Sequence, residues 1–563
     1  MNEIGVVVPT VNFGQFSILA NDEIIKQGIP LIGKFVGVEF IRDNKTIIAI
    51  GTILNFELTN NFAETVSKLK HTDFINSNPT IQKVFINNNE LILDCKIISA
   101  FDKDTGGRIP FDTPLGVSAK SFFIEDSFLN TILTKKKDNM FYLGKYFGTN
   151  IKHPFYLKDF SELKEAYHTL VAGQTGSGKS TLVKMMLSGY AKVSKNINMF
   201  ILDPVGEFAK SFKTGKMDEF GLNMNEIWKK TGRKSVEIYN LENLAMDKWS
   251  ILESFMLTSQ IFKKELGIKH TENQKDSAEY LISELKRKNI KLSELINNIQ
   301  TIEEIIKSKE FLKRAYSNKE RRIEIENTMN IDEEWSKFNE KLKEILDRFN
   351  TSNKKSINNL IYGEFNPQKN NSFNNGRTII IDLSSIGWDN DVKYVIIKEI
   401  FSSLYRSAKD TYQENIESNF NTLVVIDEAH RLIPKGKGDN DYQNQAKEVL
   451  VKSFIETRKF GLGWMVISTR LSNLDDTVYE HSRVKIIGYD LQTGSDGDII
   501  KESFGKDILN YYATLPDPTD PLSDGRQHVF MVSGPICVLS RKAPEFLEVF
   551  NNSEDFLIEN NIN

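Results

Sequence analysis

The stretch "LVAGQTGSGKSTLVKMM" at residues 170–186 constrains this chain more than any other. Gly173, Gln174, Thr175, Gly176, Ser177, Gly178, Lys179 and Ser180 fit the pattern G-x-x-x-x-G-K-[ST]. Glycines let the backbone curl until its N–H groups point inward at phosphate oxygens. In such a loop the lysine, Lys179, reaches the β and γ phosphates and the hydroxyl of Ser180 meets Mg²⁺. Thr181, the next hydroxyl, is grouped with the loop as nucleotide-binding. The flanks agree: "HTLVAG" (168–173) reads as a short buried strand. "TLVKMMLSGYAK" (181–192) reads as a helix, whose N-terminus favours anions. The expected ligands are ATP and Mg²⁺.

A strand–loop–helix unit of this kind belongs in a sheet of parallel strands with crossover helices. Five further runs supply strands: "INMFILDP" (197–204), "RTIIIDLS" (377–384), "TLVVIDEAH" (422–430), "GWMVISTR" (463–470) and "VKIIGYD" (484–490). Each is continuously apolar rather than alternating, as strands buried on both faces are. The expected fold class is α/β, a P-loop core of the RecA-like kind around a parallel central sheet. Residues 1–145 differ. "GVVVPT", "KTIIAIGTILNFEL" and "ELILDCKIISAF" are β-branched runs separated by turn residues, which suggests a small barrel. The core then divides into a first part, 146–254, and a second, 376–510. A helical insert at 255–375 separates them. Within it, Leu292, Leu295, Ile299, Ile302 and Ile306 repeat at helical spacing, as do Trp335, Phe338, Leu342, Ile345 and Phe349. A closing segment, 511–563, contains "HVFMVSGPICVLSRK" (528–542), read as a hairpin turning at Ser533–Pro535.

Bulk properties exclude several classes. A net charge of −4 does not advertise nucleic-acid binding, so any DNA contact must come from a local patch. Cys95 and Cys537 are too few for a disulfide framework or a cysteine zinc site and read as two reduced core thiols. No apolar run approaches the roughly 20 residues that span a bilayer, and no signal peptide opens the chain. The expected location is the cytoplasm.

"LVVIDEAH" places Asp427 and Glu428 at the end of an apolar strand, where a P-loop ATPase needs two carboxylates. Asp427 would hold the Mg²⁺ shell and Glu428 would polarise the attacking water. The letters D-E-A-H resemble the DEAH box of helicases that carry two motor domains in one chain. Those need a second motor domain with a Q-x-x-G-R motif, which is missing here, so His430 is assigned to packing or hydrogen bonding beside the site. In "SFIETRKFGLGWMVISTR" (453–470) a helix ends at Phe460, capped by Gly461. Arg458 and Lys459 in its last turn either complement the helix dipole or, for Arg458, reach a neighbouring subunit's γ-phosphate as an arginine finger. Ser468 and Thr469 either sense that phosphate or end a strand. Asp203 and Glu207 of "DPVGEF" (203–208) either line the same crevice or shape a turn around Pro204 and Gly206.

The order of "GQTGSGKST", "LDPVGEF", "VVIDEAHRLIP" and "ETRKFGLGWMVISTR" resembles the HerA ATPases of the HerA–FtsK superfamily. The β-rich start looks like the small HAS-barrel that opens those proteins, and the end looks like their C-terminal brace. The resemblance implies a homohexameric ring that binds ATP between subunits and translocates double-stranded DNA. It implies a partner: a NurA-like nuclease in DNA-end processing, or a sirtuin-like or nuclease effector in anti-phage defence. It assigns Lys179, Ser180, Asp427 and Glu428 to the site. It also assigns Arg458 as the arginine finger, because "ETRKFG" resembles the family's E-G-R-K-F-G. Two positions depart from the family pattern. Ser468, Thr469, Arg470 and Leu471 stand where the family usually reads S-Q-R-P, and His168 stands where a basic residue commonly precedes the P-loop strand. The lost amide leaves open an alternative: an ATP-dependent ring scaffold that assembles and regulates an effector with little DNA translocation of its own.

Overall fold

The computed structural model describes residues 3–8, 14–21, 23–24, 31–60, 89–133, 139–213, 215, 217–218, 220–233, 236–328, 332–350, 354–363, 376–385, 391–414, 420–522, 526–540 and 543–562. An eleven-stranded sheet organises it. Seven strands at one end are all parallel, in the order Val236–Asn240, Thr378–Asp382, Asn198–Asp203, Thr422–Ile426, Leu462–Ser468, Thr169–Ala172 and Val484–Ile487. Four antiparallel strands continue the sheet: Val529–Ser533, Glu545–Val549, Met140–Tyr146 and Lys152–Tyr156. The strand Met140–Tyr146 therefore pairs in this sheet and not in the barrel.

The apolar runs are continuous because both faces are covered. Along Asn198–Asp203, Phe200 and Leu202 point to one core, and Met199 and Ile201 to the other. Thr422–Ile426 alternates in the same way, Val424 and Ile426 against Leu423 and Val425. One face carries the long helices Asp391–Glu414 and Asp441–Glu456 together with the helical insert. The other carries Lys179–Val193, Glu207–Lys213 and Met224–Lys230.

The strands of the N-terminal region close into a barrel. Gln15–Ala20, Glu3–Val8, Lys120–Phe123, Phe35–Arg42, Lys45–Asn60 and Asn89–Asp102 pair in turn, and the last returns to the first. Closure removes open sheet edges. Its interior holds Phe16, Ile18, Val36, Val38, Ile53, Leu93 and Cys95. Both cysteines are free and buried, and burial pushes their thiols well above the ordinary range.

The helical insert follows the apolar stripes with one break. Leu292 to Ile306 was expected as one helix, but the chain runs as a 3₁₀ segment, Leu292–Asn298, and then an α-helix, Ile299–Ile306. Asn298 donates its side-chain amide to the carbonyl of Glu294 at 2.7 Å, the local competition by which asparagine interrupts helices. Leu295, Ile302, Ile306, Phe338, Leu342 and Phe349 are buried as the spacing requires.

The closing segment is not the hairpin the sequence suggests. Val529–Ser533 does turn back, but its antiparallel partner is Glu545–Val549. Residues 536–540 instead cross the sheet end, where Cys537 bridges Phe155. Among the described residues no helix is long and apolar enough to cross a membrane.

The join between closing segment and sheet is tight enough to test. A Cβ at Gly144 would lie 1.9 Å from the carbonyl oxygen of Glu548, which is backbone and cannot swing away. Gly144→Ala should lower stability by about 1–3 kcal/mol, read as a shifted urea midpoint, whereas Gly148→Ser, where a Cβ meets nothing within 4 Å, should move it less despite its φ of 70°.

Candidate functional site

All seven parallel strands present their carboxyl ends at one edge, and the candidate residues collect there because the strands share a direction. The P-loop strand, Thr169–Ala172, is flanked by Leu462–Ser468 and Val484–Ile487. Leu462–Ser468 also pairs with Thr422–Ile426, the strand that precedes Asp427. A third strand thus stands between the phosphate loop and the acidic strand end.

The loop leaves Ala172 with three glycines in conformations that other residues avoid. Gly173 has φ 158°, and Gly176 and Gly178 both have φ 87°. The loop is tied to its neighbours by Gly173 N–H donating to Ser468 O at 3.3 Å and Gln174 N–H to Tyr489 O at 3.2 Å. The helix Lys179–Val193 begins directly behind it, with Gly178 as its cap. Lys179 bends back over the loop and donates to the carbonyls of Gly173 at 2.5 Å and Gln174 at 2.9 Å. Burial lowers its pKa, and Glu428, Asp427 and Glu207 pull in the opposite direction. The ammonium therefore stands in a partly dry pocket faced by carboxylates.

Asp427 is 5% exposed. Burial, reinforced by Glu428, pushes its pKa up to about 7, while a hydrogen bond from the Glu428 N–H at 2.9 Å works against the shift. Glu428 sits at φ 49°, ψ 39°, in the left-handed region that a long side chain rarely enters. Consecutive residues in a strand point to opposite faces; the left-handed turn brings both carboxylates to one cavity instead. His430 Nε2 and Arg431 Nε approach Glu428 Oε2 at 3.5 and 3.8 Å. His430 is thus a neighbour of the acid pair, and burial holds its pKa down.

The cavity at this edge is open, about 480 Å³, and is lined by Thr175, Lys179, Ser180, Thr181, Asp427 and Glu428 among others. It accommodates a triphosphate by its chemistry: a glycine-rich backbone loop, the ammonium of Lys179, the hydroxyls of Thr175, Ser180 and Thr181, and a crowded acid pair. The hydroxyl of Ser180 and the carboxylate of Asp427 form a hard-oxygen donor set that fits a magnesium ion.

Several candidates take one of the places the sequence left open. Ser468 is buried and donates its hydroxyl to Arg470 O at 2.7 Å; of the two neighbours it is Thr469 that lines the cavity. Asp203 is fully buried and caps the helix Glu207–Lys213, accepting from Gly206, Glu207 and Ala209 N–H at 2.8, 3.2 and 2.7 Å. Glu207 lines the cavity and pairs with Lys184 at 3.0 Å. His168 does not face the phosphates. Its Nδ1 accepts from Trp464 N–H at 3.3 Å, so Nε2 carries the proton and donates to Phe454 O at 3.0 Å.

Arg458 stands at the other end of the sheet. It lies in the 3₁₀ turn Thr457–Phe460, which leads through Gly461 (φ 76°) into the amino end of Leu462–Ser468. Six residue steps at about 3.3 Å separate the two ends of that strand, roughly 20 Å. Arg458 pairs with Glu165 at 3.5 Å, and Glu165 also takes Arg483 at 2.6 Å. Arg458 is 43% exposed, so its charge is presented outward and the ion pair contributes little to stability.

Fold and cavity together define a P-loop ATPase with a strand inserted between its phosphate loop and its acidic strand. Residues 163–404 match the family model described as the central domain of the helicase HerA. The DNA double-strand break repair helicase HerA of Sulfurisphaera tokodaii is 23% identical over 350 residues, 61% of this chain and 58% of that one. A probable helicase of Methanocaldococcus jannaschii is 22% identical over 524 residues, 90% of each chain. Among solved structures, VirB4 of Thermoanaerobacter pseudethanolicus aligns over 73% of this chain and 96% of its own, with 15% identity and a TM-score of 0.34. Residues 163–404 are therefore similar to the HerA central domain, and the chain's matched region spans 58% of the length of the Sulfurisphaera relative.

Sequence reasoning missed the contribution of the closing segment: Arg526, His528 and Asn551 also line the cavity. No spacing rule links positions about 350 residues from the loop; only the antiparallel extension of the sheet brings them there.

The buried histidine gives a pH prediction. Burial lowers the pKa of His168 to about 3, against an ordinary value of 6.5. The unfolded chain therefore binds a proton below pH 6.5 that the folded chain refuses, so stability is intact above about 6.5 and is lost as pH falls toward 3. His168→Gln should cost about 1–3 kcal/mol at neutral pH and should flatten the decline between pH 6.5 and 4, measured by urea denaturation across that range.

Proposed function

We propose that the chain hydrolyses ATP to translocate double-stranded DNA, working as a homohexameric ring whose nucleotide sites are each completed by a neighbour. The observation that carries this is the separation of Arg458 from Lys179 and Glu428 along one strand. An arginine about 20 Å from its own phosphate loop serves only another copy's. A head-to-tail interface of this kind gives a ring when its rotation closes. The names of the relatives, helicases of DNA repair, support DNA as the track. A nuclease or a defence effector as working partner belongs to the same proposal.

The chemistry needs no covalent intermediate. Loop N–H groups and Lys179 hold the phosphates, and Thr175, Ser177 and Thr181 stand around them. Ser180 and Asp427 would hold Mg²⁺, which neutralises charge on the phosphate oxygens when bound. Glu428 orients the attacking water and accepts its proton, and the guanidinium of Arg458 from a neighbour stabilises charge on the γ-phosphate as it departs. Thr469 at the cavity, where the HerA pattern usually carries an amide, favours a second reading: slow hydrolysis that serves ring assembly and regulation of an effector.

Hydrolysis measured with and without linear double-stranded DNA, at two salt concentrations, separates them. A translocase contacts phosphates, so DNA should stimulate the rate and the stimulation should fall as salt rises. Glu428→Ala should lower the rate about 100-fold or more without loss of ATP binding. Hydrolysis indifferent to DNA would contradict translocation and favour the scaffold.

A further inference from the structure

The phosphate loop is covered on one side by the closing segment of its own chain. A Cβ at Gly178 would lie 2.8 Å from His528 Nδ1, and one at Gly176 would lie 3.0 Å from the methyl group of Thr519. Both glycines are thus required twice, by their φ of 87° and by what packs on them. Thr519 is itself held in place. Its N–H donates to Asp517 at 2.7 Å, and Asp517 accepts from Tyr489 OH at 2.9 Å, just beyond the strand that flanks the P-loop strand.

His528 Nδ1 stands 3.1 Å from the carbonyl oxygen of Ser177. A carbonyl only accepts, so Nδ1 carries the proton and donates. This fixes the peptide between Ser177 and Gly178, whose orientation decides where the Gly178 N–H points. Arg526, two residues earlier, lines the same cavity as Lys179 and Ser180. It is exposed, and among the described residues no carboxylate pairs with it. Its charge is felt at His528, whose pKa burial already lowers. A guanidinium without a carboxylate partner, at the mouth of a cavity lined by a phosphate loop, is matched to a phosphate chain by charge and geometry.

We propose that Arg526 and His528 complete the nucleotide site in cis: Arg526 contacts the phosphate chain, and His528 is a positioning residue that holds the loop through Ser177. This rests on residues 173–180 being a nucleotide site. It adds a second cationic contact that comes from the closing segment, so nucleotide binding also ties that segment, and the antiparallel end of the sheet, to the loop.

The experiment titrates the full-length chain with fluorescently labelled ATP and ADP. Arg526→Ala should weaken both by about tenfold, the effect of one lost charge-assisted hydrogen bond. Arg526→Lys should fall between, and Arg526→Glu should be weaker than either. His528→Ala should also weaken binding, and His528→Asn, whose amide can donate from the Nδ1 position, should restore it, which a purely structural loss would not. Lys179→Ala is the reference and should bind neither nucleotide. Wild-type affinity in Arg526→Ala, with binding lost in Lys179→Ala, would overturn the inference alone. Retained binding in Lys179→Ala would overturn the nucleotide site itself and this inference with it.

Discussion

The common direction of seven strands determines at which edge of the sheet each candidate residue of the ATPase core stands. Because Thr169–Ala172, Leu462–Ser468 and Thr422–Ile426 run in parallel, their carboxyl ends deliver the phosphate loop, Thr469 and the Asp427–Glu428 pair to a single edge. The same direction sends Arg458 to the opposite edge, beside Glu165 and Arg483. One half of a phosphoryl-transfer site is assembled by the fold, and the cation that would complete it faces away. On the proposed reading a neighbouring copy's Arg458 supplies that cation, and coupling between successive sites in a ring would follow without any special linking element.

Charge balance at the assembled edge points the same way. Asp427, Glu428 and Glu207 crowd around one partly buried ammonium, and burial raises Asp427 while lowering Lys179. Each shift reflects a charged group short of water. A phosphate chain with a divalent cation would relieve both, since the phosphates would meet Lys179 and the cation the carboxylate. The left-handed backbone at Glu428 is the local cost of aiming two adjacent carboxylates into one space.

Much of this was legible in the sequence. The P-loop was readable because glycine, lysine and serine at fixed offsets have few other uses, and the core strands because runs buried on both faces cannot alternate. Features set by distant pairing were not. Whether Ser468 or Thr469 faces the cavity depends on the last turn of one strand, and the side chain of Ser468 is taken by Arg470 O. His168 stands where the HerA pattern commonly carries a basic residue, yet the backbone N–H of Trp464 captures its ring. The return partner of Val529–Ser533 lies at Glu545–Val549 because residues 536–540 are drawn to Phe155 instead. The roles of Arg526 and His528 were invisible for the same reason, since sequence pattern reports local periodicity and not which far segments meet.

The central claim is that each nucleotide site is divided between two copies, and subunit mixing tests it most directly. Glu428→Ala spoils a subunit's own site and leaves its Arg458 intact; Arg458→Ala does the reverse. Each variant alone should be inactive. After dissociation and co-assembly of the two, interfaces that join an intact Glu428 to an intact Arg458 should recover ATP hydrolysis. Absence of recovery in verified mixed assemblies, or wild-type hydrolysis by Arg458→Ala alone, would contradict the divided site.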